Sequence, residues 1–161
     1  MASFPYALTD QKLVKTSLAI FFLLGLSLLS IGGLYLSIDE FMPYHSEAVQ
    51  ADWSELDINL QGLILGLLKA LGGGAFVAGF ATLYMAFASF RKSTEPYKVL
   101  LPSVSTGYSA LLCYATYTVQ MSTPGNPPLL LTFILVVMGL VASVLLGFST
   151  ETHKISQQHT N

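Results

Sequence analysis

Long apolar stretches separated by short polar segments dominate this chain. Residues 16–38 contain no Asp, Glu, Lys or Arg, residues 58–90 contain only Lys69, and residues 99–150 contain none. A helix needs roughly 20 apolar residues to cross a hydrocarbon core about 30 Å thick. The Pro- and Gly-rich segment 123–128 divides the last stretch in two, as a tight turn between antiparallel helices does. The pattern therefore predicts four membrane spans, at about residues 16–38, 58–90, 100–121 and 129–148.

The charged residues predict how these spans are oriented. Apart from Lys69, every Lys and Arg lies before the first span, between the second and third, or after the fourth. The loop 39–57 between the first two spans holds six carboxylates and no Lys or Arg. By the positive-inside rule, both termini are cytoplasmic. We therefore expect residues 1–161 to form a single all-α domain, an up-down-up-down four-helix bundle integral to a membrane.

The composition agrees with a membrane protein and argues against several classes of function. Only 10% of the residues are charged and 53% are hydrophobic, whereas soluble domains carry about 25% charged residues. The net charge of −2 gives no reason to expect a nucleic-acid partner. Cys113 is the only cysteine, which excludes membrane oxidoreductases that need a cysteine pair. The spans contain no histidine to ligate haem, so we expect no cofactor.

Small residues recur at every fourth position of the second span, where the row continues through Thr82 and Ala86, and a shorter row lies in the fourth span. Such rows let helix backbones approach closely in lipid, where dispersion packing replaces the hydrophobic drive between helices. Two interpretations stay open: an interface with a partner or a second copy of the chain, or packing inside one bundle. The predicted packing residues are Gly62, Gly66, Ala70, Gly74, Ala78, Gly139, Ser143 and Gly147.

Lys69 is the ionisable residue that most needs an explanation. The second stretch would be about 50 Å long as a helix, which exceeds one perpendicular crossing. In one register Lys69 marks the outer membrane boundary and residues 53–68 form a further amphipathic section; in the other, Lys69 lies near the midplane. An ionisable group at membrane depth is a functional hypothesis by default. Lys69 snorkels to the interface, pairs with an acid of the outer loop, or meets an anionic ligand such as a lipid head group.

The outer loop carries three further candidates, Tyr44, His45 and Glu47. One histidine without a paired ligand motif is weak evidence for a metal, so we predict no metal site. His45 alternatively senses pH, since the unperturbed pKa of histidine is near 6.5. The plainer interpretation is a hydrogen-bonded turn at the membrane surface.

The third span is the most polar one. In lipid its Ser, Thr and Tyr side chains are expected to turn inward, towards the polar groups of the second span. Together these residues would line a small cavity for an amphipathic, lipid-like ligand. The alternative is hydrogen bonding between helices. The candidate ligand-binding residues are Lys69, Gln61, Tyr84, Tyr108, Tyr114 and Thr118.

The Met-Pro-Tyr-His segment at 42–45, and Lys69 before the glycine pair 72–73, resemble a group of small bacterial four-span membrane proteins. Members share that segment after the first span and a basic residue before a glycine pair in the second. The resemblance covers about residues 16–95. It implies a bacterial inner (plasma) membrane protein and implies no particular activity.

Three classes of function remain open. The leading one is a non-enzymatic membrane protein, which either binds a lipid-like ligand between the second and third spans or serves as an accessory subunit of a membrane complex. The second is a small ion or anion transporter or channel that uses Lys69 and the acidic outer loop. The third is an enzyme acting on a lipid, with Lys69, His45 and Tyr114 in catalytic roles. No motif supports a catalytic residue, so we predict none.

Overall fold

The computed structural model describes residues 4–91 and 95–158, and the side chains of residues 11–91 and 97–147. Over these residues the chain forms five α-helices, one 3₁₀ turn and no strand, which confirms the all-α prediction. The helices are α1 (Phe4–Ser37), α2 (Pro43–Val49), α3 (Ile58–Arg91), α4 (Glu95–Ser122) and α5 (Leu129–Gln158), and the 3₁₀ turn is Trp53–Glu55.

Three segments of these helices are long and apolar enough to cross a membrane, namely Gln11–Ser37, Ile58–Arg91 and Leu129–Gly147. The structure therefore supports the prediction of a membrane protein. α4 is less apolar because it carries many Ser, Thr and Tyr side chains. It also begins earlier than the sequence predicts, so Pro102 lies inside the helix and not in its first turn. Inside a helix, proline removes the bond that its own N–H would make, and its ring crowds the carbonyl oxygen four residues earlier, which favours a kink at that point.

The four long helices share one apolar core. α1 lies along α3 and α5, while α4 packs against α5 and, less extensively, against α3. α1 contributes the largest buried side chains. The core consists of Leu18, Phe21, Leu24, Leu28, Ala78, Met85, Ala86, Leu101, Leu112, Leu135, Ala142 and Leu146.

Glycines bring α1 and α3 into backbone contact at two levels. A Cβ atom built on Gly32 would lie 2.8 Å from the carbonyl oxygen of Gly72, and one built on Gly79 would lie 2.8 Å from the carbonyl oxygen of Gly25. Residue numbers rise along one helix as they fall along the other, so the two helices are antiparallel. The two levels are seven residues apart on each helix, and this repeat keeps one face of a helix directed at its neighbour. At Gly32 and Gly79, no larger side chain fits without moving the backbone of the facing helix.

The same pairing shows that α3 extends past the end of α1. Gly32 faces Gly72, so Ser37 at the end of α1 is level with about Leu67. Residues 58–66 of α3 therefore continue beyond α1, by roughly 13 Å at 1.5 Å per residue. The loop 39–57 lies at this end of the molecule, which we call the cap end. We call residues 39–57, with α2 and the 3₁₀ turn, the cap.

Candidate functional site

Lys69 closes the end of α1. Its Nζ donates hydrogen bonds to the carbonyl oxygens of Leu36 and Ile38, both at 3.1 Å. The last carbonyls of a helix have no partner within the helix and carry partial negative charge, so a cation is favourable there. Asp39 Oδ1 lies 3.8 Å from the same nitrogen. The structure thus gives Lys69 two backbone partners and one carboxylate.

The Asp39 contact is the weaker part of this arrangement. The side chain of Asp39 is 97% exposed, and that of Lys69 is 40% exposed. Ion pairs in such surroundings contribute little, because water screens both charges. The two carbonyl bonds are therefore the contacts that place Lys69, and they put it level with the end of α1 rather than with its middle. This geometry agrees with the register in which Lys69 marks a boundary of the apolar layer.

Tyr44 ties the cap to α1. Its hydroxyl shares a short hydrogen bond with the hydroxyl of Tyr35, in the last turns of α1. Burial, and then this bond, raises the pKa of Tyr44 far above the usual range for tyrosine. Tyr44 therefore stays neutral and serves as a hydrogen-bonding anchor between α2 and α1.

His45 lies among aromatic rings within the cap. Its ring centroid is 4.0 Å from that of Tyr44, 6.1 Å from that of Phe41 and 6.5 Å from that of Tyr35. Its Nδ1 accepts a hydrogen bond of 3.0 Å from the backbone N–H of Met42, so Nε2 carries the proton of the neutral ring. Burial lowers the pKa of His45 below 6.5. The bond closes the first turn of α2, which begins at Pro43.

The cap also covers the turn between α4 and α5. The backbone N–H of Asn126 donates to Glu47 Oε2 at 3.3 Å. A Cβ atom on Gly125 would lie 2.6 Å from the carbonyl oxygen of Tyr44 and 2.8 Å from Cβ of Ala48. Only a residue without a side chain allows α2 to lie this close. Glu47 thus joins α2 to the α4–α5 turn.

The remaining part of the cap is fixed to the beginning of α3. Phe41 is buried and packs edge-on against Trp53, with ring centroids 4.9 Å apart. Gln61 Nε2 donates to the carbonyl oxygens of Trp53, at 2.8 Å, and Leu56, at 3.2 Å. The side-chain and backbone amides of Asn59 bond Asp57, and these bonds lower the pKa of the Asp57 carboxyl. The cap therefore contacts α1, the beginning of α3 and the turn between α4 and α5.

The predicted ligand-binding residues do not converge on one point. Gln61 and Lys69 hold the cap and the end of α1, and the Tyr108 hydroxyl donates to the carbonyl oxygen of Leu71 at 2.6 Å. Tyr84 and Tyr114 lie on the surface, 61% and 70% exposed. Thr118 is exposed and bonds its own helix. Only Tyr108 lies where α3 and α4 meet, against Gly74.

The predicted packing residues divide into two groups. Ala78 is buried, Gly74 faces Tyr108, and Gly139 faces Thr106 of α4, while Ser143 is partly buried and bonds the carbonyl oxygen of Gly139. In the other group, Ala70 is exposed, and a Cβ atom would meet no described atom within 4 Å at Gly62, Gly66 or Gly147.

Several residues of this arrangement escaped the sequence analysis. Tyr35 has no motif, although a tyrosine at the end of an apolar span indicates an interfacial position. Thr132 of α5 bonds Thr116 of α4 at 2.8 Å. The sequence accounts for Gly125 as a turn residue and gives no sign of its contact with α2. In the part of the chain that the structure describes, no three His, Cys, Asp or Glu residues form a group able to hold a metal.

Comparison with known proteins gives no match to a family model, to a curated protein or to a solved structure. The fold itself defines the class of protein: three long apolar helices make it a helical membrane protein.

Proposed function

We propose that this protein is a non-enzymatic, four-span protein of the inner membrane that serves as an accessory subunit of a larger membrane assembly. In this proposal α4 is the remaining span, both termini are cytoplasmic, and the cap faces the opposite side. α4 is 28 residues long, enough for a bilayer core about 30 Å thick. Its short turn to α5 returns the chain across the same layer.

The observation that carries the proposal is the open face of α3 at the cap end. A Cβ atom on Gly62 or Gly66 would meet nothing within 4 Å, and the neighbouring Leu63 and Leu67 are 60% and 63% exposed. Exposed leucines beside these small residues form an apolar face beyond the boundary that Lys69 marks, and an apolar face of this kind is typical of a protein–protein contact. The polar, exposed side chains of α4, such as Tyr114, would likewise gain partners in an assembly.

The placement of Lys69 favours this proposal over transport. A transport lysine has to release its partners to receive an ion or anion, whereas Lys69 bonds two carbonyl oxygens that close α1. The lipid-ligand alternative requires Lys69, Tyr84 and Tyr114 to meet one molecule, and their positions are dispersed.

Native mass spectrometry of the protein purified gently from its own membrane tests the proposal. We expect a complex with a second, defined protein that Gly66→Leu dissociates while the chain stays folded by circular dichroism. Gly33→Leu on α1 is the matched control, since a Cβ there also meets nothing within 4 Å. A protein found only as a bare chain, or one carrying a discrete lipid whose occupancy falls in Tyr114→Ala, would contradict the subunit proposal.

The topology has its own test. Cys113→Ser removes the only cysteine, and single cysteines then report sidedness. A membrane-impermeant thiol reagent applied to intact cells should label Asp52→Cys and Asn126→Cys, and should leave Lys154→Cys unlabelled. Labelling of Lys154→Cys together with the other two would refute the arrangement.

A further inference from the structure

His45 holds a position from which one proton can loosen the cap. It bonds the residue that precedes α2, and its ring contacts Tyr44 on α2, Tyr35 on α1 and Phe41 in the preceding loop. Phe41 in turn packs on Trp53. We propose that His45 is a pH-sensitive latch: the cap is closed when the imidazole is neutral and opens when it is protonated.

The hydrogen bond of His45 supplies the chemical reason. Nδ1 accepts the Met42 N–H only while it is unprotonated. Protonation places an N–H on Nδ1, directed at the Met42 N–H, so the bond is lost and two donors face each other. The first turn of α2 then has an unpartnered backbone donor, and the half-buried ring has gained a charge. Both changes favour an arrangement in which His45 reaches water.

Among the described residues, no carboxylate contacts His45 to hold a positive charge in place. The titratable groups packed against it are the phenols of Tyr35, from α1, and Tyr44, from α2. Glu47, two residues along α2, points to the α4–α5 turn and bonds Asn126, and Asp39 lies with Lys69. Trp53 of the 3₁₀ turn packs on Phe41, and Phe41 in turn contacts His45. Within the described residues, burial is the influence on the pKa of His45, with no compensating carboxylate.

Proton linkage gives the direction of the effect. The pKa of His45 is lower in the closed cap than the 6.5 of a solvated histidine, so the closed state binds fewer protons than the open one. The closed cap therefore keeps its full stability above about pH 6.5 and loses it as the pH falls below that value. The ratio of open to closed cap rises by up to about tenfold for each unit between the two pKa values.

Opening has a defined structural consequence. α2 is held to α1 by the Tyr44–Tyr35 bond and to the α4–α5 turn by Glu47 and Gly125. When the first turn of α2 is released, these contacts loosen together and the α4–α5 turn is uncovered. An acidic compartment or acid stress at the cap side would expose a surface that is covered at neutral pH. This inference is independent of whether the protein belongs to a larger assembly.

The single tryptophan makes the latch measurable. Trp53 lies within the cap and is the only tryptophan of the chain. In purified, detergent-solubilised protein we expect its emission to shift reversibly to longer wavelength between about pH 8 and pH 5, with a midpoint below 6.5. Hydrogen exchange of the peptide covering α2, corrected for the intrinsic pH dependence, should accelerate over the same interval. That interval lies above the ordinary titration of the cap carboxylates.

Two variants test whether His45 is the group whose protonation opens the cap. His45→Asn keeps an acceptor on a short side chain but does not titrate, so the pH-dependent shift and the accelerated exchange should both disappear. His153→Asn with His159→Asn, in the C-terminal tail, is the matched control and should retain both. The proposal is overturned if wild-type protein shows neither change between pH 8 and pH 5, or if His45→Asn shows the same transition as wild type.

Discussion

The two halves of α3 carry one row of small residues, yet they are packed very differently. In the cap-end half, Gly62 and Gly66 meet nothing that a Cβ atom would touch. In the other half, three members of the row, Ala78, Thr82 and Ala86, are buried against neighbouring helices. The same residue types thus give an open face in one place and a close helix contact in the other.

The difference follows from the geometry of the helix. A row with a spacing of four drifts by about 40° at each step, because a residue turns about 100°. From Gly62 to Ala86 the row rotates by about 240°, so it cannot face one neighbour throughout. Five of the seven buried positions of α3, namely Gly72, Ala75, Gly79, Thr82 and Ala86, instead alternate steps of three and four. That spacing drifts only about 20° per heptad and stays on α1.

The largest expected effect comes from adding a methyl group to the packed half. A Cβ on Gly79 would lie 2.5 Å from the Leu29 backbone nitrogen and 2.8 Å from the Gly25 carbonyl oxygen. Gly79→Ala should therefore lower the free energy of unfolding by about 1–3 kcal/mol through overpacking. Gly66→Ala, in the open half, should leave it unchanged or raise it slightly. Denaturation in mixed micelles measures both, and equal losses would show that the halves do not differ.

A smaller effect is expected where the halves meet, at Lys69. Lys69→Met keeps the length of the side chain and removes both bonds to the end of α1. The expected loss is about 1 kcal/mol, a modest value because the ammonium is partly exposed and screened. Asp39→Asn is the control and should be nearly neutral. If Asp39→Asn matched Lys69→Met in unfolding measurements, the ion pair rather than the carbonyl bonds would place Lys69.

The smallest effect concerns the end of α2, beside the open half. Gln50 has φ 56° and ψ 35°, a left-handed conformation that is unfavourable for residues with a Cβ. Gln50→Gly should stabilise the cap by up to about 1 kcal/mol, seen as a higher midpoint of Trp53 emission during thermal unfolding. Gln50→Ala keeps the conformational strain and should give no such gain. A higher midpoint in Gln50→Ala would show that the stabilisation comes from removal of the glutamine side chain and not from relief of backbone strain.

Several features of the fold follow directly from local pattern. The apolar stretches predict α1, α3 and α5 because membrane burial and helix length depend on nearby residues. For Lys69 the sequence leaves three roles open, one of which is a pair with an acid of the outer loop. The structure gives that pair only as the exposed contact with Asp39. The main partners of Lys69, the carbonyl oxygens of Leu36 and Ile38, carry no sequence signal, since every residue has a carbonyl group.

The cap shows the limit of such prediction most clearly. Tyr44, His45 and Glu47 were identified from their position after the first span, but the partners of Tyr44 and Glu47, which are Tyr35 and Asn126, come from other segments. Those contacts depend on how α2 folds back over the α4–α5 turn, which no periodicity encodes. Likewise, the small-residue row shows that close packing is present, while only the three-dimensional register shows which members are used.

α1 and α3 meet backbone to backbone at Gly32, and a comparison of the adjacent glycines Gly32 and Gly33 measures this contact. A Cβ on Gly32 would clash with the backbone of Phe76 and Gly72, whereas a Cβ on Gly33 would meet nothing within 4 Å. The measurement is the difference in unfolding free energy between Gly32→Ala and Gly33→Ala in the same micelles. We predict that Gly32→Ala is less stable by about 1–3 kcal/mol. Equal stability of the two variants, or a greater loss in Gly33→Ala, would contradict the account.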